Sequence, residues 1–230
     1  MIRRRRTLHS SHVSAWECYV VYVSTSSSRI PRFFRRIAVK GWRNSPYFTY
    51  SSGYPVLRQW LIAKLLARDR DILSIGCGSG ELERDLIKLG RQVTGMDICF
   101  EMLQSAQRRG VKRVLHADAL HLPFVPNAFD LVIFPESIGY FDLEPVLPGV
   151  ARVLNKQGRV MITAYATNFA SDNIYKRRSV AELSEGLQQA GLRVSEHKLL
   201  VVSRSRVVEV ASEERSQLIY VCARKIANGS

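Results

Sequence analysis

A chain of 230 residues, 46% apolar and 23% charged, suits one globular domain of about 170 to 180 residues plus an extension. It contains no apolar run near the roughly 18 to 20 residues that cross a bilayer, so no transmembrane segment and a soluble, cytoplasmic protein are expected. The net charge of +14 is concentrated at the start, where residues 1–46 hold ten Lys/Arg against one acid, Glu17; the remainder is only mildly basic, and nucleic acid is not the expected partner. Cys18, Cys77, Cys99 and Cys222 show no paired spacing, which fits a reducing compartment, and no metal site is expected.

In chain order, residues 1–28 combine Arg3–Arg6 with scattered Ser and Thr and show no periodicity. Residues 1–46 therefore read as a basic extension, partly disordered, with an organellar transit peptide as the alternative. Arg32 to Lys40 reads as a short basic amphipathic helix, a shape that also suits peripheral contact with anionic lipid or RNA. Residues 45–54 are rich in aromatics and turn formers, and lead into a helix carrying Leu57, Trp60, Leu61, Lys64 and Leu65.

The run from Asp71 to Glu81 is the most informative. Ile72, Leu73 and Ile75 form a short buried-strand pattern, Gly76, Gly78 and Gly80 permit a turn and close backbone approach, and an apolar-periodic helix then runs from Glu81 to Gly90. Such a strand, glycine loop and helix serves either a dinucleotide or S-adenosylmethionine. In the dinucleotide pattern a pyrophosphate rests on the helix N-terminus and a third Gly or Ala stands where this chain has Glu81. Glu81 and Glu83 in the first turn suit the helix dipole but oppose a phosphate, which favours the phosphate-free cofactor.

Further strands are expected over 91–98, 113–117, 129–134, 159–165, 193–202 and 216–225, with a helix over 180–191. Asp97 falls at the tip of the second strand, placed to accept from ribose hydroxyls. Asp118 follows the third, placed to accept from an adenine amino group. His116 and His121 flank it, but no further ligand follows at metal-site spacing.

These motifs together resemble the class I S-adenosylmethionine-dependent methyltransferases, in particular the methyltransferase type 11-like domain, over roughly residues 54 to 226. The resemblance implies an α/β fold: a Rossmann-like, doubly wound, mostly parallel seven-stranded sheet with helices on both faces and a C-terminal antiparallel hairpin. It implies a methyltransferase domain over 47–226, with 227–230 as a tail. S-adenosylmethionine would be the cofactor, held by Gly76, Cys77, Gly78, Gly80, Asp97, Ile98, Asp118 and Ala119. The segment before the first strand often closes over the cofactor in this fold, which makes Tyr47, Tyr50 and Tyr54 candidate lid or acceptor contacts, or simply packing residues.

Departures from the family pattern are specific. An acid usually stands two positions before the first glycine, where this chain has Ser74; a hydroxyl brings no charge to the cationic methionine end. Cys99-Phe100 replaces a Ser-Pro pair, so the following helix should be less well capped. Pro148 and Gly149 should interrupt or shorten the helix after the fourth strand, and Lys156-Gln157-Gly158 replaces its usual Pro-Gly-Gly ending.

After the fourth strand the chain reads Phe134-Pro135-Glu136-Ser137, without the Asn/Asp-Pro-Pro-aromatic pattern of exocyclic and amide nitrogen methylation or the Pro-Cys of cytosine carbon methylation. The expected acceptor is a small or lipid-like molecule. Methyl transfer from a sulfonium needs a general base only when the acceptor must lose a proton. Glu136 and Tyr140 beside the end of the fourth strand are the candidates, with Tyr165 at the end of the fifth. The alternative reading is a non-catalytic protein of the same fold, acting as a binding or scaffolding module.

Overall fold

The computed structural model describes residues 19–20, 29–40, 53–167 and 174–226. Residues 1–18, Tyr47 and Tyr50, and the 227–230 tail lie outside that set. Strands β1 (Tyr19–Val20), β2 (Asp71–Ile75), β3 (Gln92–Asp97), β4 (Arg113–His116), β5 (Phe129–Pro135), β6 (Leu154–Tyr165), β7 (Leu192–Val202), β8 (Val207–Glu209) and β9 (Leu218–Lys225) form one sheet in the order β1-β4-β3-β2-β5-β6-β9-β7-β8. The seven long strands are those expected; β1 and β8 add two short strands at opposite edges. Pairing is parallel from β1 through β6, and β9 enters antiparallel between β6 and β7.

The chain runs outward from β2 through β3 to β4, then returns to the other side of β2 at β5. Connections leaving β2 and β5 therefore part in opposite directions, opening a crevice at the carboxyl ends of these strands. The side-chain alternation of β2 and β5 builds two layers around the sheet. Leu73, Ile75, Val132 and Phe134 face helices α5 (Leu143–Val153) and α6 (Val180–Gln189), whereas Ile72, Leu131 and Ile133 face α2 (Tyr54–Ala63) and α3 (Glu81–Lys88). Helix α4 (Phe100–Arg108) packs Leu103 and Ala106 against Val111, Val114 and Cys77 beneath the glycine loop.

Helix α1 (Arg29–Lys40) falls where the basic amphipathic helix was expected, and its apolar side is used. Ile37 packs with Cys99 and Met102 of the α4 start, Phe33, Phe34 and Ala38 flank this cluster, and Arg35 pairs with Glu101 at 2.9 Å.

One expectation fails. Helix α5 runs unbroken through Pro148 and Gly149. The bond that Pro148 cannot make would reach Glu144 in the first turn, where little ladder is lost. Val146, Leu147, Val150 and Val153 of the same helix are fully buried, and that burial outweighs one missing hydrogen bond. The α4 expectation holds: Cys99 is an N-cap without a side-chain cap bond. In compensation the Asp97 carboxylate accepts from the Cys99 amide at 2.8 Å.

Candidate active site

The loop after β2 is bent back by two amides, Gly76 N and Cys77 N, which both donate to the Met96 carbonyl at 2.7 and 3.1 Å. Gly76, Gly78 and Gly80 have φ of +73°, +54° and +76°, the left-handed region that favours glycine. The space is also taken: a Cβ on Gly76 would collide with Ser137, whose hydroxyl donates to the Ile75 carbonyl at 2.5 Å. A Cβ on Gly80 would come within 2.7 Å of Ala106. Gly76→Ala should therefore lower stability by about 1 to 3 kcal/mol, read as a shift of the denaturation midpoint; an unchanged midpoint would show that the loop can relax.

Cys77 turns inward, with its thiol against the bare Cα of Gly95, and burial pushes that thiol well above its usual range. It fills space. Asp97 closes the loop from the β3 tip: one carboxylate oxygen accepts from Gly78 N at 2.8 Å, the other from Cys99 N at 2.8 Å. Burial raises its pKa, while the Cys99 and Gly78 amides pull it back. Next to it, the Ile98 carbonyl meets His116 Nε2 at 2.9 Å. Asp118 is buried just beyond β4 and accepts from Leu120 N at 3.1 Å, with Ala119 buried beside it. The parallel register that pairs Asp97 with His116 thus brings the ends of β2, β3 and β4, and the eight expected cofactor residues with them, to one rim of the sheet. Among the described residues, no three His, Cys, Asp or Glu side chains gather as a metal would require.

The first-turn acids of α3 do not behave as a pair. Glu81 is paired with Arg58 at 2.8 Å, and Arg109 lies 3.9 Å away, so its charge is locally met and its expected repulsion of phosphate is blunted. Arg58 also approaches Asp85 at 3.4 Å. Glu83 turns inward instead: it is 1% exposed, and one oxygen accepts from the Ser74 hydroxyl at 2.5 Å. Its other oxygen, Oε2, is buried without a hydrogen-bond partner. Burial pushes this carboxyl up to about 7. The sequence held a signal for this: Glu83 stands three residues before Leu86, on the buried face of the helix.

Beyond β5, Glu136 adopts φ +60°, a conformation that costs a non-glycine residue about 1 kcal/mol or more. Its amide is held by the Phe134 carbonyl and Thr163 Oγ1, each at 3.0 Å. Its carboxyl accepts from the Tyr165 hydroxyl at 3.3 Å, while Oε1 is buried without a hydrogen-bond partner, and burial pushes the group up to about 7. Aromatic side chains surround this carboxyl. Tyr140 and Tyr165 both contact the Tyr175 ring, at 4.9 and 4.7 Å, and Phe34 of α1 stacks edge-on against Tyr140 at 5.0 Å. Burial, with the nearby Glu136 carboxyl adding to it, raises the Tyr54 phenol. Burial also holds the Tyr140 phenol far above its usual range. Tyr54, Tyr140 and Tyr165 were sequence candidates here; Tyr175 joins them only in three dimensions.

Residues 73–162 match a family described as a methyltransferase domain. A malonyl-[acyl-carrier protein] O-methyltransferase of Legionella pneumophila is 37% identical over 101 residues, covering 41% of this chain and 36% of that protein. A demethylmenaquinone methyltransferase of Thermobifida fusca is 30% identical over 121 residues, covering 47% and 51%. The chain thus spans about half or less of the length of these two relatives. Among solved structures, a methyltransferase of Thermotoga maritima superposes with a TM-score of 0.67 at 21% identity, covering 85% of this chain and 99% of that one. The 1,6-didemethyltoxoflavin-N1-methyltransferase of Burkholderia thailandensis, with S-adenosylhomocysteine bound, gives 0.64 at 19% identity over 89% and 93%. The superpositions establish the fold, and the matched segment carries the glycine loop, Asp97, Asp118 and β5. Residues 73–162 thus match the methyltransferase-domain family, within a chain that has the fold of S-adenosylmethionine-dependent methyltransferases.

Proposed function

We propose that this protein transfers a methyl group from S-adenosylmethionine to a small-molecule or lipid-like acceptor, with residues 47–226 as the catalytic domain and α1 of the preceding basic segment packed on it. The observation that carries this reading is the pairing of a glycine cradle, which a Cβ would fill, with two buried carboxyls, Glu83 and Glu136, that each keep an oxygen without a hydrogen-bond partner. A cationic nucleoside suits such a rim, and a dianionic pyrophosphate does not. Gly76, Cys77, Gly78 and Gly80 would line the methionine and ribose side. Asp97 would accept from the ribose, and Ile98, Asp118 and Ala119 would flank the adenine. When bound, S-adenosylmethionine supplies a methyl group already activated on a sulfonium. The protein's own work is then alignment, exclusion of water and control of one proton.

Glu136 is the residue suited to that proton. It lies at the end of β5, next to Ser137, which packs on Gly76 of the glycine loop, and its unpaired oxygen lies among Tyr54, Tyr140, Tyr165 and Tyr175. We assign it as general base for a hydroxyl acceptor. The aromatic lining favours a flat or apolar acceptor, in keeping with a relative named as a demethylmenaquinone methyltransferase.

Titration calorimetry on the full chain tests the cofactor. S-adenosylmethionine should bind, and Asp97→Ala should weaken it by at least about tenfold, since both the ribose acceptor and the loop anchor are lost. Unchanged affinity would remove Asp97 from that role, and no binding by the folded wild type would favour the scaffolding alternative. Transfer of labelled methyl groups into a fractionated cell extract then reads activity and acceptor class together.

A further inference from the structure

The strand position two residues before the first glycine is the uncharged Ser74, yet the site does not lack a carboxyl there. It arrives from the neighbouring helix. Glu83 in the first turn of α3 reaches back to Ser74, is almost wholly buried, and leaves Oε2 without a partner in the protein. An unsatisfied buried carboxyl oxygen is costly and is not retained for stability.

The surroundings define what would satisfy it. Asp97 faces Glu83 from β3, Tyr54 and Arg58 from α2, and Cys77 from the glycine loop. Arg58 is the cation of this set, and its guanidinium is already committed to Glu81 and Asp85. The remaining groups are neutral or acidic. The vacant oxygen therefore awaits a cation from outside the chain, and one that donates a hydrogen bond. A sulfonium has no N–H or O–H; an ammonium has three N–H donors.

We infer that Glu83, oriented by the Ser74 hydroxyl, receives the α-ammonium of the cofactor's methionine end, so that helix α3 and not strand β2 supplies the anion of this site. This rests on the cofactor assignment above and assigns a residue that assignment does not use. Ser74 is a positioning residue in this arrangement: it holds one carboxyl oxygen and leaves the other for the ligand. Ligand binding then ionises a carboxyl that the empty site keeps partly protonated near pH 7, and a proton is released to solvent.

Calorimetry with two ligands separates this role from a structural one. S-adenosylmethionine carries the ammonium; 5′-methylthioadenosine keeps the nucleoside and sulfur but lacks the amino-acid end. Glu83→Gln should bind S-adenosylmethionine at least about tenfold more weakly and 5′-methylthioadenosine as the wild type does. Adding Ser74→Asp to Glu83→Gln should restore the lost affinity by placing the charge on the strand. Wild-type titrations near pH 7 in buffers of different ionisation enthalpy should show proton release with S-adenosylmethionine and none with 5′-methylthioadenosine. These titrations decide the matter even where Glu83→Gln does not fold. Equal weakening of both ligands, unchanged affinity for S-adenosylmethionine, or equal proton release with the two ligands would overturn the inference. Failure of the wild type to bind either ligand would instead overturn the cofactor assignment itself.

Discussion

Asp69→Ala should destabilise the protein by about 3 to 5 kcal/mol, the largest stability effect expected of a single polar substitution here. Asp69 and Arg159 form an ion pair with both side chains almost wholly out of solvent. The Arg159 guanidinium also donates to the Lys64 carbonyl at 2.8 Å and to the Cys222 sulfur at 3.4 Å, while Asp69 accepts from Leu66 N at 2.6 Å. The pair therefore ties the turn after α2 to the centre of β6. Removing the carboxylate leaves a permanent cation buried with one carbonyl and one thiol, and also frees the turn. Chemical denaturation reads the loss directly. The contrast is Asp142→Ala, which breaks the pair with Lys176; both of those side chains are more than half exposed, and the midpoint should barely move. Similar effects at the two sites would mean that water reaches Arg159.

Glu136→Gln should lower the rate of methyl transfer by about 100-fold or more if the acceptor is a hydroxyl, because the amide keeps the shape and loses the base. The pH dependence supplies the signature. With the carboxyl pushed up to about 7, kcat/KM of the wild type should fall as pH drops through that value, and the variant should lose this limb. Stability should move the other way. The folded protein holds this proton more tightly than the unfolded chain, whose carboxyl titrates near its ordinary 4.5. The associated stability is fully present below about 4.5 and is lost as pH rises through about 7, so at pH 8 the variant should be the more stable protein. A variant with wild-type rate across this range would show that Glu136 is only a buried acid.

Much of the fold is legible in the chain because each parallel strand is a short apolar run ended by a residue with a job: Ile75 before the glycine loop, Asp97, His116 before Asp118, and Pro135 before Glu136. The site rim follows from those ends, since parallel neighbours in register place them side by side. Other features depend on packing that no local pattern records. Pro148 reads as a helix breaker, and its helix persists because four buried side chains outweigh one bond. Ser74 reads as a missing charge, and the charge is found nine residues later on another element. Of the tyrosines around Glu136, Tyr140 and Tyr165 follow from neighbouring strand ends, whereas Tyr175 comes from the approach to α6 and nothing in its spacing announces that it joins them.

The position of β9 bears on how the protein is made. This strand is last in chain order but lies between β6 and β7, bonded to both, and β8 reaches the sheet only through β7. No fragment that stops short of Leu218 holds a continuous sheet, and β7 and β8 then have no partner on the core side. During synthesis the half from β2 to β6 can assemble before β9 emerges, while β7 and β8 wait for that strand. The sheet is thus closed by a strand made after both of its neighbours, and a cut there disconnects β7 and β8 from the strands on the other side.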